Sequence, residues 1–197
     1  MVDNGSNSVE SIDYLNKHNI RSIVLDHHEI YKPYPNCGSL INPKKSDSNN
    51  NYDYFCSAVL TYFFIDIYLK KKKLKINFSE NLILVLTAII SDVMPLRKFN
   101  RLIAIKVLKN INLYNNYILK KIFEIKKIKK PIEIDDFAFL FGPIINSAGR
   151  LGDANDVVKL LSCTNLSDVE KIIKHLISIN EKRKKIENDL FKGINLK

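Results

Sequence analysis

Apolar residues recur at two periods along the chain, and each change of period marks an element. Val9, Ile12 and Leu15 lie three apart, which predicts a helix over Ser8 to His18 with Ser8 as its N-cap. Ile20 to Leu25 is a short, largely β-branched run, predicted as a strand buried on both faces in the manner of parallel strands. Val2-Asp3-Asn4-Gly5 reads as the end of a preceding strand whose beginning is missing. Strand, helix and strand with short connections make a βαβ unit. The Pro-, Asn- and Ser-rich passage YKPYPNCGSLINPKKSDSNNN then predicts loop, with a short strand at Ser39 to Asn42.

Helical periods dominate the rest. Tyr54 to Leu69 predicts a strongly apolar, central helix. A second begins after Ser79 and is apolar on nearly every face through Ile90, the mark of a buried helix. It ends at Ser91-Asp92-Val93-Met94-Pro95, because Pro95 disfavours helical geometry at Met94. Asn100 to Lys109, Tyr114 to Ile125 and Asp135 to Leu140 predict further helices. Gly142 to Gly149 holds two glycines and a proline and reads as a structured turn. Ser167 to Leu190 is a long amphipathic helix, with Val169, Ile172, Ile173, Leu176, Ile179, Ile186 and Leu190 near one stripe. The predicted class is α/β: a parallel sheet with helices on both faces in a domain over residues 1–165, then a helical connection over 166–197.

The chain has 197 residues, 46% of them apolar, enough for one ordinary domain with a sizeable core. Its formal charge of +10 favours anionic partners. Much of the excess falls in Lys70 to Lys73, Lys120 to Lys130 and the EKRKK run from Glu181, which also read as solvated helix faces, so charge alone supports a nucleic-acid partner weakly. Cys37, Cys56 and Cys163 lack CxxC spacing, which argues against a zinc site and a disulfide framework and for a reducing compartment. The apolar runs are short and broken by Asp, so a soluble cytoplasmic protein without a membrane span is expected.

The chemistry gathers in SIVLDHHE. Asp3 and Asp26 each follow a strand segment, and in open α/β sheets ligands collect at the carboxyl ends of strands. His27 and His28 stand beside Asp26, and Asp92 lies where a buried helix gives way to a loop. Carboxylates with an imidazole form a hard O/N set suited to Mn²⁺ or Mg²⁺. Taken singly, Asp3 also reads as an ordinary helix cap and Asp92 as a loop carboxylate.

VDNG at Val2, LDHH at Leu25, INPKK at Ile41, SDVMPL at Ser91, Asn100-Arg101 and FGPIINSAGRL at Phe141 resemble, in order and approximate spacing, the DHH phosphoesterase superfamily, and within it the RecJ single-stranded-DNA-specific exonucleases. The GPxxNxxGR segment points to RecJ rather than to the pyrophosphatases or small oligonucleotide phosphatases of the superfamily. The resemblance implies a Mn²⁺- or Mg²⁺-dependent hydrolase that degrades single-stranded DNA from the 5′ end to mononucleotides in repair and recombination. It implies metal ligands at Asp3, His27 and Asp92, an orienting role for Asp26, and His28 over the scissile phosphate as acid or transition-state stabiliser. It also implies that Asn146 and Arg150 hold the nucleic-acid backbone, for which a guanidinium is apt. An internal salt bridge is the structural alternative for Arg150.

The departures carry expectations of their own. Family members have an Asp-x-Asp motif on a preceding strand, supplying further metal ligands, and a DHH-associated domain beyond the long helix. Ile144 stands where the GPxxN segment usually has Arg, Val59 replaces a customary Gly, and Ala88-Ile89 replaces a Gly-Thr pair. The expectation is a RecJ-like chain truncated at its N-terminus, with half a two-metal site, an open sheet edge and little activity alone. Two alternatives accompany it: a non-catalytic half that assembles with a separately encoded N-terminal half, and a DHH phosphoesterase acting on short oligonucleotides or cyclic dinucleotide products.

Overall fold

The computed structural model describes residues 1–45, 51–76, 79–111 and 117–194. It divides into two units, Met1–Val107 and Leu108–Lys197. The first begins with the βαβ arrangement. Val2 forms a parallel bridge to Leu25, helix α1 spans Val9–Lys17, and strand β1 spans Ile23–Leu25. Strand β2, Ser39–Ile41, pairs with β1 in parallel, with Ile23 opposite Ser39 and Leu25 opposite Ile41.

The sheet is smaller than the expected one. Among the described residues it has two strands and the Val2 bridge, and helices make up most of the chain. Nor is β1 buried on both faces throughout. Val24 and Leu25 are buried, but Ile23 is 44% exposed and Ile20, outside the strand, 51%. The carboxyl end of the strand is the enclosed end, and α2 packs on β1.

Helix α2 spans Ser57–Lys71, later at both ends than the predicted Tyr54 to Leu69. Tyr54 and Phe55 instead enter an aromatic cluster with Tyr52, Phe63 and Phe99. The expected central helix leaves one side open: Val59 and Leu69 are buried, whereas Phe64, Ile65, Ile67 and Tyr68 are exposed. Helix α3, Leu82–Ser91, follows a 3-10 turn at Ser79–Asn81 and buries Leu82, Val85, Leu86 and Ile89 against α2 and its surroundings. Helix α4, Lys98–Asn110, buries Ile103, Ala104 and Val107.

In the second unit α5 spans Tyr117–Ile125, and the predicted start at Tyr114 lies outside the described residues, as does 46–50 of the predicted loop. A short helix α6, Ile134–Asp136, runs into a π-helical segment, Phe137–Phe141, and then α7, Gly142–Leu151. The stretch predicted as a turn is therefore helix. Pro143 sits in the first turn of α7, where a missing N–H is tolerated. The wider π spacing just before it absorbs the ladder bond that a proline cannot make. Helix α8, Asn155–Ser162, was not foreseen. Its entry is marked by Asp153, whose carboxylate accepts the Asn155 N–H at 2.9 Å. Helix α9, Leu166–Ile194, packs on α5, α7 and α8 through Val169, Ile173, Leu176 and Ile179. Ile186 and Leu190, expected on the same stripe, are exposed. No helix of the described residues is long and apolar enough to cross a membrane, and the three cysteines are free thiols.

Two glycines of this unit make opposite predictions. A Cβ on Gly152 would meet Ile179 Cδ1 at 2.8 Å, whereas one on Gly149, inside α7, would meet nothing within 4 Å. Gly152→Ala is expected to lose about 1 kcal/mol as Ile179 is forced aside. Gly149→Ala should gain about 0.5–1 kcal/mol from helix propensity. Urea denaturation of the two variants checks both signs.

Candidate metal centre

Three parallel segments end together. Leu25 N–H donates to the Met1 carbonyl at 3.0 Å, Asp3 N–H to Leu25 O at 3.0 Å, and Asp26 N–H to Ile41 O at 3.0 Å. The ladder thus places Asp3 and Asp26 at the carboxyl ends of neighbouring strands. The chain then has to turn sharply away from Asp3, which itself takes a left-handed φ of 62°. Gly5, at φ 109°, completes the turn, and a Cβ there would press on the Val24 side chain at 3.1 Å. A side chain at Gly5 would be strained on both counts.

The Asp26 carboxylate is 2% exposed and is surrounded by donors. Oδ2 accepts the Ser6 N–H at 2.9 Å. Oδ1 accepts the His27 N–H at 2.8 Å and the His28 Nδ1–H at 2.8 Å, with the His28 N–H at a longer 3.4 Å. Burial works against ionisation, but the bonds from the Ser6 backbone, the His28 ring, the Ser6 hydroxyl and the His27 backbone outweigh it and hold the carboxyl well below the usual range. An ionised Asp26 fixes the proton of His28 on Nδ1, leaving Nε2 for the site.

His27 lies between two carboxylates. Its Nε2 is 3.3 Å from Asp3 Oδ1 and 4.0 Å from Asp92 Oδ2. The His27 side chain is 11% exposed, Asp3 58% and Asp92 41%, so an enclosed imidazole faces a pair of open carboxylates. Asp92 caps the carboxyl end of α3. Burial and the negative charge of Asp3 raise its pKa, and the two histidines partly offset this. Donor atoms of Asp3, His27 and His28 all lie within 4.8 Å of one another. Such carboxylates repel each other, and a divalent cation among them removes the repulsion. Oxygen donors with imidazole nitrogen fit Mn²⁺ or Mg²⁺.

Asp3, Asp26, His27, His28 and Asp92 are therefore brought together in the first unit. Asn146 and Arg150 lie on α7 in the second, both exposed, and among the described residues Arg150 makes no ion pair. Several supporting residues were not foreseen. Asn42, 5% exposed, donates to Ser6 Oγ at 2.8 Å and to His28 O at 3.0 Å. Asn100, fully buried, donates to Tyr54 O at 2.7 Å and Pro95 O at 3.1 Å, fixing the loop that follows Asp92. Both stand in segments that carry the family resemblance, INPKK and Asn100-Arg101, but an asparagine gives no sign in the sequence of which carbonyls it will bind.

Residues 1–89 match the model of the DHH family, N-terminal domain. The chain is 29% identical over 196 residues to the single-stranded-DNA-specific exonuclease RecJ of Haemophilus influenzae, covering 94% of this chain and 34% of that protein. It is 28% identical over 201 residues to that of Escherichia coli, covering 96% and 35%. It thus spans about a third of the length of the curated relatives it matches. The crystal structure of RecJ in complex with Mn²⁺ from Thermus thermophilus has the same fold over 98% of this chain and 29% of its own, with TM-score 0.84 at 23% identity. A crystal structure of exonuclease RecJ bound to manganese also gives TM-score 0.84, at 22% identity, over 98% of this chain and 48% of that one. Residues 1–89 form a DHH family N-terminal domain, in a chain that is RecJ-like over the part of RecJ that it spans.

Proposed function

We propose that the chain is a metal-dependent phosphodiesterase of the RecJ type, acting on single-stranded DNA from the 5′ end. The observation that carries this is the convergence of Asp3 and Asp92 on His27 Nε2, beside a His28 whose ring is fixed by Asp26. Asp3, His27 and Asp92 hold Mn²⁺ or Mg²⁺, which when bound supplies water activation and charge neutralisation for phosphoryl transfer. Asp26 takes no part in the bond changes. It keeps the Nδ1 proton on His28, so that Nε2 meets the scissile phosphate, as a hydrogen-bond donor once protonated, and can pass that proton to the leaving oxygen. Asn146 and Arg150 bind the strand's phosphates, for which the exposed guanidinium of Arg150 is free of internal ion pairs among the described residues.

Among the described residues this donor set suffices for one ion rather than for a carboxylate-bridged pair. The second ion's ligands belong, in this reading, to an Asp-x-Asp strand, a motif that these 197 residues do not contain. Calorimetric titration with Mn²⁺ is expected to give one site per chain, abolished in His27→Ala. Release from 5′-labelled single-stranded DNA should be slight for the 197-residue chain and rise when a polypeptide carrying the Asp-x-Asp strand is added. Robust turnover by the chain alone would overturn the one-ion limit. Unaltered Mn²⁺ binding in His27→Ala would overturn the site.

Asp26→Asn tests the orienting role. The variant is expected to lose roughly 2–4 kcal/mol of stability near neutral pH, since it replaces a carboxylate accepting several buried hydrogen bonds. The folded pKa of Asp26 lies below the unfolded value of about 3.9, so its stabilisation is fully present above that value and is lost as the pH falls from there through the folded pKa. The difference between wild type and Asp26→Asn in urea denaturation should therefore be constant near neutrality and shrink on acidification below about pH 4. A difference independent of pH down to strong acid would show that Asp26 is not the buried anion described.

A further inference from the structure

The segment that follows His28 carries an exposed aromatic ring on a fixed backbone. Tyr31 is 69% exposed. Its N–H donates to Asn7 Oδ1 at 3.0 Å, and Asn7 Nδ2 donates to Glu29 O at 2.7 Å, so one side chain clamps both ends of the short stretch. Asn7 directly follows Ser6, whose N–H binds Asp26. The backbone under Tyr31 is thus tied to the same hub that orients His28. A ring held this way loses little freedom when a ligand covers it.

The surroundings are cationic. Lys32 Nζ lies 5.8 Å and Lys45 Nζ 5.2 Å from the centroid of the Tyr34 ring, so both ammonium groups are gathered on one aromatic ring. Lys44 is paired with Glu29 at 2.8 Å. The Tyr31 ring, by contrast, has no aromatic or cationic partner among the described residues. An open ring on a segment that also carries a lysine, here Lys32 next in sequence, is an arrangement by which proteins bind unpaired nucleotides: bases stack on the aromatic face while cations meet the phosphates. Three residues extend at most about 10 Å. That places Tyr31 within a few nucleotides of His28 along a strand that passes both.

We propose that Tyr31 is a stacking platform for a nucleobase of a single strand whose phosphodiester lies at the metal centre, with Lys32, the next residue, meeting an adjoining phosphate. This rests on the phosphodiesterase reading above and adds a residue that binds the base rather than the reacting group. Because every base has an apolar face, the contact is indifferent to sequence.

Fluorescence anisotropy with a labelled thymidine oligonucleotide, and with one of the same length built from abasic sites, tests it on the full chain in Ca²⁺ at low salt. Tyr31→Ala is expected to weaken binding of the base-bearing strand between about 5- and 100-fold and to leave the abasic strand unchanged. Tyr31→Phe should bind as wild type does. Tyr14→Ala, which removes another exposed ring, 63% exposed and tilted against His18, should have no effect on either strand. If Tyr31→Ala binds the base-bearing strand like wild type, or loses both strands equally, the stacking proposal is overturned and the phosphodiesterase reading stands. If the wild type binds neither strand, both fall together.

Discussion

A carboxylate taken out of water must be surrounded by donors, and Asp26 meets that demand from three separate places. Ser6 supplies its N–H from the turn after Asp3, His27 its N–H from the end of β1, and His28 its ring. None of these bonds survives if the Asp3 turn, the strand end or the imidazole moves by more than a fraction of an ångström. Satisfying one buried charge therefore fixes the relative positions of Asp3 and both histidines. Asn42 extends the same constraint to β2 by binding Ser6 Oγ and the His28 carbonyl. The sheet is small, but its carboxyl edge is rigid because a charge is anchored there.

Asp92 reaches the site by a different support. It stands at the end of α3, beyond the sheet, and its loop is held by a neutral, fully buried amide, Asn100, which joins Pro95 to Tyr54 at the approach to α2. The candidate metal centre is thus assembled from a strand edge and a helix end with independent fastenings. That division matches the distances: His27 is 3.3 Å from Asp3, which shares its edge, and 4.0 Å from Asp92, which does not.

The gathering of Asp3, Asp26, His27, His28 and Asp92 was more legible in the sequence than the architecture around it. Asp26, with the two histidines directly behind it, ends an apolar run where a parallel strand must end, whereas Asp3 taken singly also reads as an ordinary helix cap. The period of three and four found most helices, but it measures which residues are apolar, not what covers them. Helix α2 is apolar on all sides, yet Phe64, Ile65, Ile67 and Tyr68 face outward, because burial depends on neighbours that periodicity does not encode. Helix α7 was hidden by its own glycines and proline, which are breakers in general but are tolerated in a first turn and on an open face. Ser6, Asn7 and Asn42 were illegible for another reason. Each has a partner far along the chain, and a polar side chain does not reveal a distant backbone group in advance.

The same residue type serves two opposed purposes here, separated by environment alone. Asp26 is enclosed, its oxygens spent on protein donors, and it has no lone pair turned toward a cation that would not break a structural bond. Asp3 and Asp92 are half open and face the same imidazole, and burial together with the negative charge of Asp3 raises the pKa of Asp92. Their mutual repulsion destabilises the centre when it stands alone and becomes attraction once a divalent ion lies among them. The cost of holding those two charges together is carried by bonds that do not involve them, chiefly at Asp26 and Asn100. A cluster made in this way offers a cation the carboxylates that the fold leaves open, and keeps its shape through polar groups bonded within the fold.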